Sequence, residues 1–166
     1  GSNNYLMGVT LPDRIDYIGL DCHFNVIDHN SMFLYGVNTD NSPYVLLGTE
    51  FYTAKVTEPV DCEVDASVRI INHYVFSYVF RNKVDMNYDS VDLILSLLIH
   101  KNVTFIGRNV AFNGYFPIYY EGNEQRWNEI NSERYENADV YFYSEEKPST
   151  EGMFWHYDSN RNPVKW

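Results

Sequence analysis

The chain has 166 residues, of which 45% are hydrophobic and 17% aromatic, so it is long and apolar enough to fold as one domain. Its 23 acidic side chains outnumber the 12 basic ones, and the formal charge of −11 argues against binding to nucleic acid or to anionic membranes. No apolar run in the sequence is long enough to span a bilayer.

Three stretches of the chain share one pattern of apolar residues and are predicted to be equivalent units. They cover residues 9–19, 62–72 and 97–107, so the second and third are offset by 35 residues and the first and second by 53. The matching positions are Val9, Cys62 and Leu97; Leu11, Val64 and Ile99; Ile15, Val68 and Val103; Ile18, Ile71 and Ile106; and Gly19, Asn72 and Gly107.

Each unit opens with two apolar residues two apart, the alternation of a short strand with one buried face. Pro12, Asp65 or His100 follows, and these residue types end strand pairing. The V-x-x-I spacing that follows predicts a segment that runs back and buries two side chains in the same core. The last position holds glycine or asparagine in all three units, which predicts a left-handed turn there.

The segments between the units complete the predicted domain plan. Residues 32–48, two apolar runs around an Asn/Asp/Ser/Pro cluster, predict a β-hairpin. The charged residues 80–90 are interpreted as an insertion in the second unit. The plan is one domain with a first repeat at 1–24, a hairpin insertion at 25–57, two repeats at 58–115 and a capping unit at 116–166.

The C-terminal part predicts three further elements. Asn123 is a candidate N-cap for a short helix through EQRWNEI, on which Trp127 and Ile130 share one face. ADVYFYS is strand-like and ends before Pro148, and MFWHY and PVKW flank the turn DSNRN in a terminal hairpin. We interpret the aromatic residues Trp155 and Trp166 as a cap over the open end of the repeats rather than as a ligand site.

The repeated pattern, I-x-I-P-x-x-V-x-x-I-G followed by an aromatic residue, resembles the BspA-type leucine-rich repeats of bacterial surface proteins. The tail is similar to the one that ends many such proteins in gut Firmicutes. The matching residues are Tyr119, Tyr120, Gly122, Trp127, Tyr141, Tyr143, Ser144, Glu145, Pro148, Gly152, Trp155, His156 and Trp166.

The resemblance implies a short, irregular leucine-rich repeat solenoid: mostly short parallel β-strands with turns and few short helices, an inserted β-hairpin and a C-terminal aromatic cap. It also implies an extracellular or cell-surface location. The chain opens on Gly1-Ser2, typical of an expression-tag remainder, so we expect any export signal to have been removed.

Residues that could carry chemistry are better explained by structure. Asp158, Asn160 and Asn162 have the spacing that opens a calcium loop, but the glycine and distal glutamate are missing, which favours a turn. Cys22 and His23 lack a second cluster at zinc spacing, and the two cysteines of the chain are interpreted as buried thiols, with one bridge between Cys22 and Cys62 as the alternative. We therefore expect no metal, no cofactor and no catalytic residues.

The candidate binding surface comes from the residues that alternate with the buried pairs. Thr10, Glu63 and Leu98 should line one shared face, and the tyrosines Tyr119, Tyr141 and Tyr143 should continue it. Tyrosine combines apolar area with a hydrogen-bonding tip, as binding surfaces require. The predicted function is a non-catalytic adhesion module that recognises proteins or glycans at the cell surface.

Two alternatives remain beside that hypothesis. The chain could be a purely structural C-terminal cap of a longer surface repeat protein, in which case most of its fifteen tyrosines only cover the core. It could also be an acidic inhibitor or immunity-type protein that masks a basic enzyme, which the net charge permits.

Overall fold

A computed structural model describes residues 33–38, 40, 42–49, 60–73, 75, 94–107, 116–130 and 138–166. The first predicted unit at 9–19, with Thr10 and Leu11, lies outside these residues, as do Cys22 and the predicted insertion at 80–90. Within the described residues the chain forms ten strands and one helix. The strands form two mixed sheets, and one of the sheets is curled into a half-barrel.

The strands and the helix are short, and they follow in chain order. They are β1 (Phe33–Val37), β2 (Pro43–Thr49), β3 (Val60–Glu63), β4 (Ile70–Ile71), β5 (Ile94–Ile99), β6 (Phe105–Ile106), β7 (Ile118–Tyr120), α1 (Glu124–Ile130), β8 (Val140–Tyr143), β9 (Phe154–Tyr157) and β10 (Pro163–Lys165). One sheet has the order β1-β2-β4-β6, and the other has the order β10-β9-β8-β7-β5-β3.

The second and third predicted units lie side by side with the offset seen in the sequence. Cys62 pairs with Leu97 between the parallel strands β3 and β5, and Ile71 pairs with Ile106 between β4 and β6. Each unit therefore gives its first strand to the six-stranded sheet and its second strand to the four-stranded sheet.

Asp65 and His100, which are predicted to end the first strands of the second and third units, each begin the same type of turn. The amide of Val68 donates to the carbonyl oxygen of Asp65 at 3.0 Å, and the amide of Val103 donates to that of His100 at 3.2 Å. The chain reverses at equivalent positions in both units, and Val68 and Val103 are fully buried.

The predicted leucine-rich repeat solenoid is wrong. β1 and β2 form an antiparallel hairpin that is part of the four-stranded sheet, because Val45 and Leu46 of β2 pair in parallel with Ile70 and Ile71. The predicted terminal hairpin is confirmed as β9 and β10, which are antiparallel at the far edge of the other sheet. Apolar alternation predicts a strand with a buried face in any sheet, so it identified β3 and β5 but did not indicate that β2 pairs with β4.

The hairpin predicted at 32–48 is confirmed as β1 and β2. Its connection is closed by the amide of Asn38, which donates to the carbonyl oxygen of Ser42 at 2.9 Å. The carboxylate of Asp40 accepts from the amide of Ser42, also at 2.9 Å, a side-chain turn that explains the Asn/Asp/Ser composition.

The left-handed turn predicted at the end of each unit is wrong at Asn72 and Gly107, since neither has a positive φ. Glycine is required at 107 for a different reason. The Gly107 amide donates to the carbonyl oxygen of Ile71 at 2.8 Å, and a Cβ on Gly107 would lie 2.6 Å from the backbone nitrogen of His73. The close approach of the two units thus excludes a side chain at this position.

The main core lies between the two sheets. It takes Leu46, Ile71 and Ile106 from the four-stranded sheet and a larger set from the other sheet: Cys62, Leu97, Ile99, Ile118, Tyr120 and Val140. Burying a side chain such as Ile118 contributes about 1.5–3 kcal/mol. Cys62 is a free buried thiol, as interpreted from the sequence, and burial raises its pKa to about 12.

The predicted helix is confirmed as α1, which packs against this core. The side-chain oxygen of Asn123 accepts from the amide of Arg126 at 2.9 Å, so Asn123 is the N-cap. Trp127 and Ile130 are the buried residues of the helix, and the rings of Trp127 and Tyr120 lie 5.2 Å apart. Among the described residues, no helix has the length and apolar character needed to cross a membrane.

Candidate functional site: the tyrosine face of the six-stranded sheet

One row of residues crosses four strands on the side of the six-stranded sheet that faces away from the main core. Glu63 pairs with Leu98, Leu98 with Tyr119, and Tyr119 with Tyr141. The preceding row, Cys62, Leu97, Ile118 and Val140, belongs to the core, and side chains alternate along a strand. We call this outer side the tyrosine face; it comprises Glu63, Leu98, Tyr119, Tyr141, Tyr143, Trp155 and Tyr157.

The structure brings together five of the six residues predicted as a binding surface, and the sixth, Thr10, lies outside the described residues. Leu98 and Tyr119 are buried at 5% and 8% exposure, while Tyr143 is 37% exposed. The inner part of the predicted surface is therefore a packed platform, and its accessible part comes from the outer tyrosines and Glu63.

Trp155 lies at the centre of the tyrosine face. Its ring centroid is 5.6 Å from that of Tyr119, 5.2 Å from Tyr143 and 4.8 Å from Tyr157. The indole N–H donates to the carbonyl oxygen of Tyr120 at 2.9 Å, and the side chain is fully buried. Trp155 therefore holds the tyrosines in fixed positions around it.

Trp166, which is predicted to form the cap together with Trp155, lies apart from this face. Its ring stacks on His156 with centroids 3.8 Å apart, and its indole N–H donates to the carbonyl oxygen of Ser144. His156 and Trp155 are consecutive on β9, so they point to opposite sides of the sheet.

A cation already lies on one of the tyrosine rings. The ammonium group of Lys165 is 4.2 Å from the ring centroid of Tyr141, within the range of a cation–π interaction. A hydrogen bond with Tyr141 is the main cause that raises the pKa of Lys165. The ring faces of this cluster can thus accept a basic side chain.

Polar groups meet at one edge of the tyrosine face, where three neighbouring parallel strands end. Glu63 is the last residue of β3, and His100 and Glu121 directly follow β5 and β7. His100 Nε2 is 2.8 Å from Glu63 Oε1, and His100 Nδ1 is 2.9 Å from Glu121 Oε2. The hydroxyl of Tyr157 donates to Glu121 Oε1 at 2.7 Å. We call these four residues the histidine bridge.

The histidine bridge keeps Glu121 ionised. Burial alone would raise the pKa of the Glu121 carboxyl, but hydrogen bonds from Tyr157 and His100 and the charge of His100 outweigh it, so the pKa is lowered. Burial raises the pKa of Tyr157, and its hydrogen bond to Glu121 raises it further. Tyr157 is therefore held as a donor and Glu121 as an acceptor.

The histidine bridge is not predicted by the sequence patterns, which indicate His100 only as a residue that ends a strand and assign no role to Glu121. A signal was present, because His100 and Glu121 each follow an apolar strand directly, and the carboxyl ends of parallel neighbours meet at one edge. Using it required knowing that these strands are neighbours.

Asp158, Asn160 and Asn162 form the turn that was favoured over a calcium loop. Asp158 Oδ1 accepts hydrogen bonds from the amides of Asn160 and Asn162, each at 2.8 Å. The bond from Asn162 is the largest cause that lowers the pKa of Asp158, and the bond from Asn160 adds to it. Arg161 takes the positive φ, 67°, in this turn. In the part of the chain that the structure describes, no three His, Cys, Asp or Glu side chains are arranged to hold a metal ion.

Comparison with protein-family models, with curated proteins and with solved structures gave no match. The functional argument for this chain therefore depends on the geometry of the tyrosine face and of the histidine bridge.

Proposed function

We propose that the chain is a non-catalytic recognition module that binds a partner protein through the tyrosine face, and that the contacting segment of the partner is rich in arginine and lysine. The observation that carries the proposal is the continuous row Glu63, Leu98, Tyr119 and Tyr141 across four paired strands. It joins a carboxylate to a platform of aromatic rings on one rigid sheet.

The chemistry of the tyrosine face favours a basic partner. Tyrosine rings attract cations over their faces, and the contact between Lys165 and Tyr141 is an internal example of that geometry. Glu63 is 63% exposed in its side chain and can accept from a guanidinium or ammonium group. The net charge of −11 speeds the encounter with a positively charged partner.

The packing of the face also suits recognition. Trp155 is held by a hydrogen bond and by contacts with three tyrosines, so Tyr143 and Tyr157 lose little conformational freedom when a partner binds. Binding energy at protein interfaces concentrates in such aromatic anchors.

An array of basic, neutral and acidic peptides, with glycans as a separate set, tests this proposal. We expect the chain to retain basic peptides selectively, and a Tyr141→Ala/Tyr143→Ala variant to lose at least tenfold in affinity, since hot-spot tyrosines contribute on the order of 2 kcal/mol each. Trp166→Ala is the matched control, because Trp166 is an exposed aromatic residue, at 41%, on the other side of β9 and β10.

Three results would count against the proposal. Selective retention of glycans would replace the protein partner with a carbohydrate. Equal losses in the tyrosine variant and in Trp166→Ala would remove the tyrosine face as the site. Retention of none of these probes would favour a purely structural role.

A further inference from the structure

The two carboxylates of the histidine bridge are held very differently. Glu121 accepts hydrogen bonds from the Tyr157 hydroxyl at 2.7 Å and from the Lys101 amide at 3.4 Å in addition to its contact with His100, and its side chain is 21% exposed. Glu63 contacts His100 alone among the described residues, and its side chain is 63% exposed. Glu63 is therefore the member that can leave at low cost.

The protonation state of His100 decides whether both contacts can exist. Ionised carboxylates only accept hydrogen bonds, so each needs a donor on the ring nitrogen that faces it. The imidazolium form has two N–H donors and satisfies both Glu63 and Glu121. A neutral ring has one N–H, so its other nitrogen turns a lone pair towards a carboxylate, and one contact is lost.

We propose that His100 controls the availability of Glu63: protonated His100 holds Glu63 as an internal ion pair, and neutral His100 keeps Glu121 and releases Glu63 to accept a basic side chain of the partner. The inference rests on the proposed function of the tyrosine face. Glu63 belongs to the row that includes Leu98 and Tyr119, so the released carboxylate lies beside the aromatic platform.

The direction of the pH dependence follows from competition between His100 and a basic side chain of the partner for the Glu63 carboxylate. At low pH the imidazolium of His100 occupies Glu63, and a basic side chain of the partner must displace it. When His100 is neutral, Glu63 is an unpaired carboxylate at the edge of the tyrosine face. Binding of a basic partner therefore strengthens with rising pH and weakens on acidification.

The other groups that face His100 do not change charge between pH 5 and 8, where histidine is the usual titrating side chain. The lowered pKa of Glu121, from the segment after β7, keeps it ionised there. The raised pKa of Tyr157, from β9, keeps its hydroxyl protonated, and the guanidinium of Arg161 lies 5.8 Å from the centroid of the Tyr157 ring. Lys101, in the turn of His100 itself, contributes its backbone amide to Glu121.

Solution NMR tests the release of Glu63 without any partner. The pH is varied from 5 to 8 on the full chain with labelled histidine ring nitrogens and glutamate carboxyl carbons. We expect the Glu63 carboxyl signal to move with the same midpoint as the ring nitrogens of His100, to lose that midpoint in His100→Gln and to keep it in His156→Gln. A Glu63 signal that ignores the His100 midpoint in the unsubstituted chain overturns the inference, even if His100→Gln fails to fold.

A labelled hexa-arginine peptide, which stays charged throughout this range, tests the consequence for binding at constant ionic strength. We expect its affinity to be about two- to fivefold higher at pH 7.5 than at pH 5.5, the range of an exposed ion pair. The difference should disappear in Glu63→Gln and persist in His156→Gln, which controls for overall charge. Equal affinity at both pH values, or a difference that survives Glu63→Gln, overturns the inference.

The two experiments separate the inference from the proposed function. A shared midpoint of Glu63 and His100 with no peptide binding at either pH upholds the release of Glu63 and overturns the basic partner. Peptide binding that depends on Tyr141 and Tyr143 but not on pH upholds the proposed function and overturns the control by His100.

Discussion

The two sides of the six-stranded sheet share one backbone and differ in chemistry. On the inner side, the row Cys62, Leu97, Ile118 and Val140 is buried in the core between the sheets. On the outer side, the adjacent row is Glu63, Leu98, Tyr119 and Tyr141. It begins at the exposed carboxylate of Glu63 and ends at Tyr141, whose ring contacts the ammonium group of Lys165. The same register therefore builds a structural surface and a candidate binding surface one residue apart.

Burial alone does not separate the core of this sheet from the candidate binding surface. Trp155 is fully buried, yet it lies on the tyrosine face and contacts the exposed Tyr143. Inner residues should affect stability and leave the tyrosine platform in place. Outer residues should affect binding, and those that support the platform should affect both.

The largest effect is expected on the inner side, from Ile118→Ala. Ile118 is fully buried between its neighbours Leu97 and Val140, so truncation should lower the free energy of unfolding by about 2–5 kcal/mol. Tyr143→Ala on the outer side should cost less, because Tyr143 is 37% exposed and its ring contact with Trp155 contributes only about 0.5–1.5 kcal/mol beyond burial. Urea unfolding of both variants measures the difference. Similar losses would mean that the outer side is as much a core as the inner one.

A smaller effect is expected from Trp155→Phe, which removes the indole N–H and leaves the buried Tyr120 carbonyl without that donor. We expect a loss of about 1–3 kcal/mol in urea unfolding together with weaker binding of basic peptides. Trp166→Phe is the matched substitution, since its N–H also donates to a carbonyl at 2.9 Å, but water can replace it at an exposed position. Equal costs for the two variants would contradict the supporting role of Trp155.

Much of the inner side could be predicted from the sequence. Alternation identified Cys62, Val64, Leu97 and Ile99 as buried, and the offset of 35 residues reappears as the register of β3 with β5. The hairpin of β1 and β2 and the terminal hairpin were also predicted, because turn residues between apolar runs act locally. These elements depend on signals within a few residues of one another.

The sheet topology and the histidine bridge could not be predicted in the same way. Nothing near Val45 in the sequence indicates that it pairs with Ile70, so the sequence predicts the hairpin only as an insertion. The partners of His100 lie 37 and 21 residues away, and only the parallel order of β3, β5 and β7 brings them to one ring. Alternation and turn signals do not report strand neighbours.

A small effect, on stability alone, is expected at Asn123, the N-cap of α1. Asn123→Ala removes the acceptor for the amide of Arg126 and should cost about 0.5–2 kcal/mol, while Asn123→Asp keeps an acceptor and should cost little. Because α1 directs Trp127 and Ile130 into the core and contributes nothing to the tyrosine face, neither variant should change the affinity for basic peptides. Urea unfolding and a peptide titration on the same samples check both statements. A loss of affinity in Asn123→Ala at a temperature where the chain stays folded would show that the two sides of the sheet are coupled, because the substitution touches only the inner one.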